Sequence, residues 1–351
     1  MNKDFWQGKR VFLTGHTGFK GGWLALWLHR LGAEVHGYSL TPGTEPNLFT
    51  EARVDHSLAT QTISDVRDFS ALNNAVTQCQ PDIVLHLAAQ PLVRQSYKAP
   101  IETYSTNVMG TVNLLETVRG VHSIRVVVNV TTDKCYENQE WHWPYREEEA
   151  LGGHDPYSSS KACSEIVTSA YRRSFFSNQD IAIASARAGN VIGGGDWSSD
   201  RLIPDAIRAW EKGQILEVRH PQAIRPWQHV LEPLNGYLTL AEKIWHSPDL
   251  AGPFNFGPHT HEAASVRDVI ELARNAYGQG EVRYSVDSIG PHEANWLALE
   301  TSKSRNELGV QPKWPLADAV TRTIAWYRAH HGGANARDLC LAEIAAYETH
   351  E

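Results

Sequence analysis

Cysteine and methionine are scarce in this chain of 351 residues, which contains four cysteines and two methionines. The cysteines lie far apart and form no C-x-x-C pair; they are Cys79, Cys135, Cys163 and Cys340. This spacing excludes a zinc finger and a disulfide-rich secreted scaffold, so we expect reduced thiols, as in a cytoplasmic protein. The chain has 17 histidines. His259/His261 and His330/His331 stand in polar segments typical of a solvated surface, so we expect no metal site.

Long apolar runs and long basic runs are both missing. The apolar stretches are short and interrupted, which excludes a membrane-spanning helix. The polar start Asn2-Lys3-Asp4 lacks the pattern of a secretory signal, which again favours a cytoplasmic location. Lysine and arginine number 32 and aspartate and glutamate 40, so the formal charge is −8, and we expect no nucleic-acid partner. Hydrophobic residues still make up 42% of the chain, which is typical of a globular protein.

The first half of the chain alternates between strand-like and helix-like segments. Val11-Phe12-Leu13 is a short apolar run that predicts a buried strand. One helical face follows from Gly22 and carries Leu24, Trp27, Leu28 and Leu31. Further strands are predicted over residues 34–40, 83–87, 125–130 and 181–186, with helices over 101–118 and around Cys163, Ile166, Val167 and Ala170. Strands separated by helices in this way predict an α/β fold with a Rossmann-type doubly wound parallel sheet.

Three glycines stand at the first strand-to-helix junction, in the run Thr14-Gly15-His16-Thr17-Gly18-Phe19-Lys20-Gly21. Their spacing is that of a dinucleotide-binding turn. Gly15 permits the tight turn, Gly18 lets a pyrophosphate approach the backbone, and Gly21 lets the helix pack closely. The start of the helix then presents free N–H groups and the positive end of its dipole to the anion.

The end of the second predicted strand bears on the choice of cofactor. Ser39 stands where a carboxylate usually binds the adenosine ribose, and no arginine follows before Arg53 to bind a 2′-phosphate. We therefore predict NAD rather than NADP. We expect NAD to exchange readily, because a serine makes a weaker hydrogen bond than a carboxylate does. Asp65 is a candidate adenine contact, or alternatively a turn or capping residue.

After about residue 188 the pattern changes, because proline and glycine cluster and shorter helices alternate with loops. We expect a smaller C-terminal α/β lobe. The predicted NAD-binding domain covers residues 1–187 with a returning segment near 229–257, and the predicted second lobe covers residues 188–228 and 258–351.

Tyr157 and Lys161 stand four residues apart, on one face of a predicted helix that starts near Pro156. A tyrosine with its usual pKa of about 10 is a poor base at neutral pH. A neighbouring lysine cation and a positive nicotinamide ring both favour the phenolate, which lowers that pKa. The pair can then take a proton from a hydroxyl group whose carbon loses a hydride.

Together these motifs resemble the extended short-chain dehydrogenase/reductase superfamily of NAD-dependent epimerases and dehydratases. The residues that carry the resemblance are Gly15, Gly18, Gly21, Leu87-Ala88-Ala89, Tyr157 and Lys161. The resemblance covers most of the chain and implies NAD across the first lobe, a nucleotide-sugar between the lobes, and a homodimer. The predicted cofactor-binding residues are Gly15, Thr17, Gly18, Phe19, Gly21, Ser39, Asp65, Val66, Leu87, Ala88, Ala89, Tyr157 and Lys161.

The segment Thr131-Thr132-Asp133-Lys134 narrows the resemblance. An acid followed by a second proton-transfer residue resembles the nucleotide-sugar 4,6-dehydratases, in most of which the pair is Asp-Glu. The pair Asp133-Lys134 departs from that pattern and resembles the branch that acts on CDP-glucose. The runs 187–197 and 225–230, and His16 in the glycine turn, resemble the same branch.

A 4,6-dehydratase oxidises C4, removes the C5 proton, expels the C6 hydroxyl as water and returns the hydride to C6. By resemblance Tyr157 is the base at O4, Lys161 assists it, and Thr132 binds O4. Asp133 would donate a proton to O6, which requires the buried acid to be protonated. Lys134 would move the C5 proton as a base, or alternatively stabilise the enolate as a cation.

Candidate contacts to a nucleotide-sugar follow in the second lobe. They are Asn190 and Arg225 for the diphosphate, Arg201 and His292 as weaker candidates, and Trp197 and Trp227 for the base pocket, unless these tryptophans only fill the core. The implied product is CDP-4-dehydro-6-deoxyglucose, which would serve deoxysugar and O-antigen synthesis.

Other functions stay open at this point. A nucleotide-sugar 4-epimerase or decarboxylase on the same fold would leave Asp133 and Lys134 without a role, and a dehydratase of a dTDP- or GDP-sugar would keep them. An NAD-sensing binding protein would not need Tyr157. The helices over 101–118 and 157–175 are the candidate dimer interface, unless their apolar stripes pack only on their own sheet.

Overall fold

The computed structural model describes residues 2–177, 180–285 and 294–350, and its centre is a seven-stranded parallel sheet. In chain order the strands are β1 (Arg10–Thr14), β2 (Glu34–Ser39), β3 (Thr60–Ile63), β4 (Ile83–His86), β5 (Val126–Val130), β6 (Ala182–Ala188), β7 (Val191–Ile192), β8 (Leu216–Val218), β9 (Ile224–Arg225), β10 (Gln228–His229), β11 (Pro253–Phe256), β12 (Ala264–Ser265) and β13 (Val282–Tyr284). The first six strands and β11 form the large sheet.

The order of the large sheet, β11-β6-β5-β4-β1-β2-β3, reverses direction beside β1. In β1, Val11 lies opposite Val35 of β2 on one side and Ile83 of β4 on the other. The connections after β1 and after β4 therefore leave the sheet in opposite directions. Between them they leave a crevice at the carboxyl ends of the strands, which is where ligands bind in such sheets. The predicted Rossmann-type sheet is confirmed.

The helices cover both faces of the large sheet. They are α1 (Lys3–Trp6), α2 (Phe19–Arg30), α3 (Leu48–Glu51), α4 (Phe69–Cys79), α5 (Val93–Lys98), α6 (Pro100–Tyr104), α7 (Gly110–Arg119), α8 (Pro156–Tyr171), α9 (Leu202–Glu211), α10 (Leu231–His246), α11 (Val266–Tyr277), α12 (Leu316–His331) and α13 (Ala336–Thr349). A wide helical turn, Ser105–Met109, joins α6 to α7 without a break, so the predicted helix over 101–118 is confirmed.

Alternate residues of each strand face two different cores, because side chains point to opposite faces of a sheet. In β1, Val11 and Leu13 pack into the larger core with residues of α2 and α10. Phe12 packs into the core on the other face, with residues of α4 and α7. The large sheet is thus buried on both sides, which explains why its strands read as nearly continuous apolar runs.

The chain after β6 forms small strand pairs and then returns twice to the large sheet. The pairs are β7 with β10, β8 with β13, and β9 with β12. α10 packs on the sheet, and β11 joins its edge, where Phe254 lies opposite Ala186. Near the C-terminus, Glu348 of α13 accepts hydrogen bonds from Trp27 and Arg30 of α2, each at 2.9 Å. The lobe boundaries proposed from the sequence stay a prediction.

None of the helices in the described part of the chain has the length and apolar character needed to cross a membrane.

Candidate active site

A cleft of about 800 Å3 runs along the carboxyl ends of the parallel strands. This size is typical of a pocket for a cofactor or substrate. All the predicted cofactor-binding and catalytic residues line this cleft, from Gly15 at one end to Lys134 and Tyr157 farther along. Asn190, Arg201 and Arg225 line it as well, whereas His292 lies outside the described residues. The fold therefore gathers residues that are up to 210 positions apart in the sequence, from Gly15 to Arg225.

The glycine turn is as tight as the sequence predicts. Gly15 has a φ of +81°, and a Cβ on it would lie 2.9 Å from the amide nitrogen of Ala88. A Cβ on Gly21 would lie 2.0 Å from the carbonyl oxygen of Gly15, so the helix could not start where it does with any other residue there. Gly18 precedes α2, has no side chain to cap it, and lines the cleft. The first-turn amides of α2 therefore suit a diphosphate anion.

The residues at the end of the cleft where the adenosine would lie suit a dinucleotide that has no 2′-phosphate. The Ser39 hydroxyl lies 2.7 Å from that of Thr17, at the end of β2. Asp65 lines the cleft, but its carboxylate also accepts hydrogen bonds from the Arg67 guanidinium at 2.6 to 3.0 Å. Arg53 does not line the cleft and instead contacts His56. These contacts fit NAD; the ribose contact of Ser39 and the adenine contact of Asp65 both stay predictions.

The segment after β5 turns its polar side chains into the cleft. Thr132 precedes a single helical turn, Asp133–Cys135, and its hydroxyl donates to Oδ1 of Asp133 at 3.0 Å. Asp133 is only 1% exposed, and its other oxygen, Oδ2, is buried without a hydrogen-bond partner among the described residues. The Lys134 ammonium lies 3.9 Å from Oδ1 of Asp133. An acid and an amine therefore stand side by side on the cleft wall.

Tyr157 and Lys161 face this segment from α8. Pro156 begins the helix, and Asp155 caps it by accepting from the amide of Ser158. Burial raises the pKa of Tyr157 to about 12, and the Thr132 hydroxyl acts in the opposite direction. Burial lowers the pKa of Lys161 to about 8, and its ammonium donates to the carbonyl of Val130 at 3.2 Å. The predicted lowering of the tyrosine pKa is wrong for the protein alone, where burial raises this pKa and the opposing groups are Thr132 and Arg201.

Lys20 is a cleft residue that the sequence analysis did not assign. Its ammonium donates to the hydroxyl of Tyr237 at 3.4 Å. Burial lowers the pKa of Lys20 to about 7, and the cations Arg201 and Lys161 act in the same direction. The signal in the sequence was a lysine placed inside the glycine turn, between Phe19 and Gly21.

At the far end of the cleft the predicted substrate residues already have protein partners. Arg201 donates to Asp196 at 2.9 Å, and Arg225 donates to the backbone carbonyls of Ile224 and Ala294. Trp197 and Trp227 line the cleft and also pack in the larger core, so they do fill core space, and their role in a base pocket stays a prediction. These partners orient the guanidinium groups, and the assignment of both arginines to substrate stays a prediction.

The four cysteines are buried or half-buried and form no disulfide. Cys135 and Cys340 are buried thiols whose pKa values burial raises above the ordinary range, and all four cysteines are free. Within residues 2–177, 180–285 and 294–350, no group of three histidine, cysteine or acidic side chains is arranged to hold a metal ion.

Comparisons with known proteins agree with this architecture. A model of the family described as GDP-mannose 4,6 dehydratase matches residues 12–323. The CDP-glucose 4,6-dehydratase of Salmonella typhimurium is 49% identical over 354 residues, which cover 99% of this chain and 98% of that protein. A dTDP-glucose 4,6-dehydratase of Streptomyces antibioticus is 28% identical over 78% of each chain. A solved UDP-glucose-4-epimerase from Stenotrophomonas maltophila has the same fold, with a TM-score of 0.80 and 20% identity over 93% of this chain and 100% of that one.

Proposed function

We propose, because this chain belongs to the GDP-mannose 4,6-dehydratase family, that it converts CDP-glucose to CDP-4-dehydro-6-deoxyglucose and water. The observation that carries the proposal is the placement of Asp133 and Lys134 beside Tyr157 on one wall of the cleft. The 49% identity to a CDP-glucose 4,6-dehydratase over nearly the whole length of both chains supports CDP-glucose as the substrate. The enzyme is a hydro-lyase that uses NAD.

The cofactor is held by the glycine turn, by Ser39 and by Lys161. Bound NAD supplies a hydride acceptor at the sugar C4 and a hydride donor at C6. The residues of the chain move the protons. Tyr157 takes the proton from O4. Thr132, whose hydroxyl contacts that of Tyr157, would hydrogen-bond the same oxygen by turning its proton from Asp133 to the bound sugar. The Lys161 cation and the positive charge of the nicotinamide ring favour the phenolate form of Tyr157.

Asp133 is the proposed acid for the departing C6 hydroxyl. A carboxylate with a buried, unpartnered oxygen is costly, whereas a protonated carboxyl in the same place can donate from that oxygen to a bound substrate. The Thr132 hydroxyl donates to the other oxygen, Oδ1, so Oδ2 is the oxygen that would face O6 of the sugar. This arrangement suits protonation of O6 as the C–O bond breaks.

Lys134 is the proposed partner of Asp133 at C5. Its side chain is 29% exposed and lines the cleft, so its amine reaches the space where a sugar would lie. Acting as a base, Lys134 would carry the C5 proton away and later return it. Acting as a cation, it would stabilise the enolate that forms beside the C4 ketone.

The proposal is tested by incubating the protein and NAD with CDP-, dTDP-, GDP- and UDP-glucose and measuring product mass. We expect loss of one water, with the highest kcat/KM for CDP-glucose. An unchanged mass with inverted C4 would identify an epimerase, and no turnover of any nucleotide-sugar would leave only NAD binding. Deuterium placed at C4 should reappear at C6, and a Tyr157→Phe variant is the inactive control.

We further propose that two copies of the chain associate through α6, α7 and α8. These helices lie side by side, joined by a 2.6 Å hydrogen bond between the hydroxyls of Tyr104 and Ser159. Their outer face exposes large apolar side chains: Ile101 at 85%, Met109 at 50%, Ile166 at 56%, Tyr104 at 39% and Phe175 at 39%. Apolar surface of this kind commonly marks an interface, and a twofold homodimer is the commonest assembly.

The remaining assignments follow from the proposed reaction. Asn190, Arg201, Arg225 and His292 would bind the nucleotide-sugar, the enzyme would act in the cytoplasm, and its product would enter deoxysugar synthesis for a surface polysaccharide.

A further inference from the structure

A buried ion pair lies directly behind residues 132–135, which we call the catalytic segment. Glu165, one helical turn beyond Lys161 on α8, and Arg187, near the end of β6, are 2.9 Å apart. Each side chain is only 3% exposed, and neither residue lines the cleft. The pair therefore cannot contact a substrate, yet such burial of two charges persists only with further hydrogen bonds to satisfy them.

The hydrogen bonds of Glu165 reach the residue before the catalytic segment. One carboxylate oxygen accepts from the Thr131 hydroxyl at 2.5 Å. The other accepts from the Ser185 hydroxyl at 2.6 Å and from Arg187. The Thr131 amide also donates to the carbonyl of Ala186 at 2.9 Å. Thr131 is therefore held by its backbone and by its side chain, immediately before Thr132.

The hydrogen bonds of Arg187 reach the residue after the catalytic segment. Its Nη1 donates to the hydroxyl of Tyr136 at 2.9 Å and to the carbonyl of Glu147 at 3.0 Å. The Tyr136 hydroxyl in turn donates to Asn255 at 2.7 Å. Tyr136 is 1% exposed and stands two residues after Lys134. One ion pair thus anchors the chain on both sides of residues 132–135.

We propose that Glu165 and Arg187 are positioning residues for the dehydration step, holding Thr132, Asp133 and Lys134 in place through the hydroxyls of Thr131 and Tyr136. This inference rests on the proposed function. Tyr157 lies on α8, whose own backbone hydrogen bonds hold it, so the oxidation of C4 depends less on these anchors. The elimination depends on them more, because Asp133 and Lys134 must meet O6 and C5 at the same time.

The test removes one anchor at a time and leaves the ion pair in place. Thr131→Val deletes the hydroxyl that contacts Glu165, and Tyr136→Phe deletes the hydroxyl that contacts Arg187. Two matched controls delete buried hydroxyls outside the cleft. Thr323→Val removes a bond to Ala319 on α12, and Tyr347→Phe removes a bond from α13 to Glu232.

Single-turnover reactions with CDP-glucose and NAD then separate the two steps. NADH absorbance reports oxidation of C4, and product mass in quenched samples reports loss of water. In the two anchor variants we expect oxidation near the wild-type rate, water loss slower by about 10- to 100-fold, and NADH that accumulates. The controls should leave both rates unchanged.

The inference is overturned if the anchor variants slow both steps in the same proportion, or slow neither. A failure of the proposed function itself would look different, because the wild-type protein would then release no water from any nucleotide-sugar.

Discussion

We expect the protons of Tyr157 and Lys161 to be coupled in the reaction, because both groups are buried in the same wall of the cleft. The reactive form, a phenolate beside an ammonium, carries one proton fewer than the fully protonated pair. Lys161, with its pKa lowered to about 8 by burial, sets the pH at which the pair loses its first proton. Raising the pH through about 8 therefore brings the pair to the protonation level of the reactive form, mostly as an amine beside a phenol and in small part as an ammonium beside a phenolate. We expect kcat/KM for CDP-glucose to rise over this range and then level off.

The charges around Lys161 determine where that rise occurs. The groups that interact electrostatically with it are Glu165 from α8, Cys135 from the turn after β5, Lys20 from α2 and His86 from β4. Glu165 raises the pKa of Lys161 and so opposes the effect of burial. Glu165→Gln should move the rise in kcat/KM to lower pH and lower its plateau, because fewer pairs then hold the proton on Lys161. An unchanged pH profile would contradict this.

The same variant leaves Arg187 as a buried cation without its partner. We expect the free energy of unfolding to fall by about 3–5 kcal/mol, as is typical for a broken buried pair. Thermal unfolding measures this loss and sets the temperature below which the pH profile must be recorded.

Lys134 acts after the oxidation of C4, so its removal should separate the steps of the reaction. With Lys134→Met we expect NADH to form from CDP-glucose, while the C5 hydrogen no longer exchanges with deuterated solvent. NMR of the recovered sugar measures the exchange. Wild-type exchange in the variant would remove Lys134 from proton transfer and leave at most its electrostatic role.

At the scale of the elements, the junction of β1 and α2 has little steric freedom. Gly21→Ala would place a methyl group 2.0 Å from the carbonyl oxygen of Gly15, which forces α2 away from the turn. Overpacking of this kind costs about 1–3 kcal/mol. We expect a lower unfolding temperature and weaker NAD binding, measured by calorimetry. Gly120→Ala is the control, because a Cβ there meets nothing closer than 3.6 Å.

α8 shows how far the apolar pattern of a helix can mislead. Ile166, on the stripe that the sequence analysis singled out, is 56% exposed. The buried side of the helix instead carries polar and charged residues, among them Lys161, Ser164, Glu165 and Thr168. A single sequence could not reveal this, because the partners that make these groups tolerable come from other elements: Thr131, Ser185 and Arg187 bond Glu165.

At the scale of the whole molecule, the exposed apolar face of α6, α7 and α8 determines the expected assembly. Ile101→Glu and Ile166→Glu would each place a charge in the proposed dimer interface, and burying an unpaired charge is strongly unfavourable. We expect the wild-type protein to run as a dimer and both variants to shift toward the monomer in size-exclusion chromatography with light scattering. Ile215→Glu, on an exposed residue of the second part of the chain, is the control. A monomeric wild-type protein would contradict the proposal.

The sequence by itself determined the alternation of strands and helices, the glycine turn and the pairing of Tyr157 with Lys161. These features are local: each depends on the spacing of residues within a few turns or along one strand. The carboxyl ends of parallel strands meet at one edge, so a Rossmann-type order also placed Thr132, Asp133 and Lys134 in the cleft.

Only the tertiary structure decided which charges stand next to one another. The contact of the buried Lys20 with Tyr237 and the ion pair of Glu165 with Arg187 join residues from separate elements. Burial and the neighbouring charges set the pKa of Lys161. The packing around Asp133 leaves its Oδ2 without a hydrogen-bond partner among the described residues. Both depend on distances in space, which the spacing of residues along a chain does not contain.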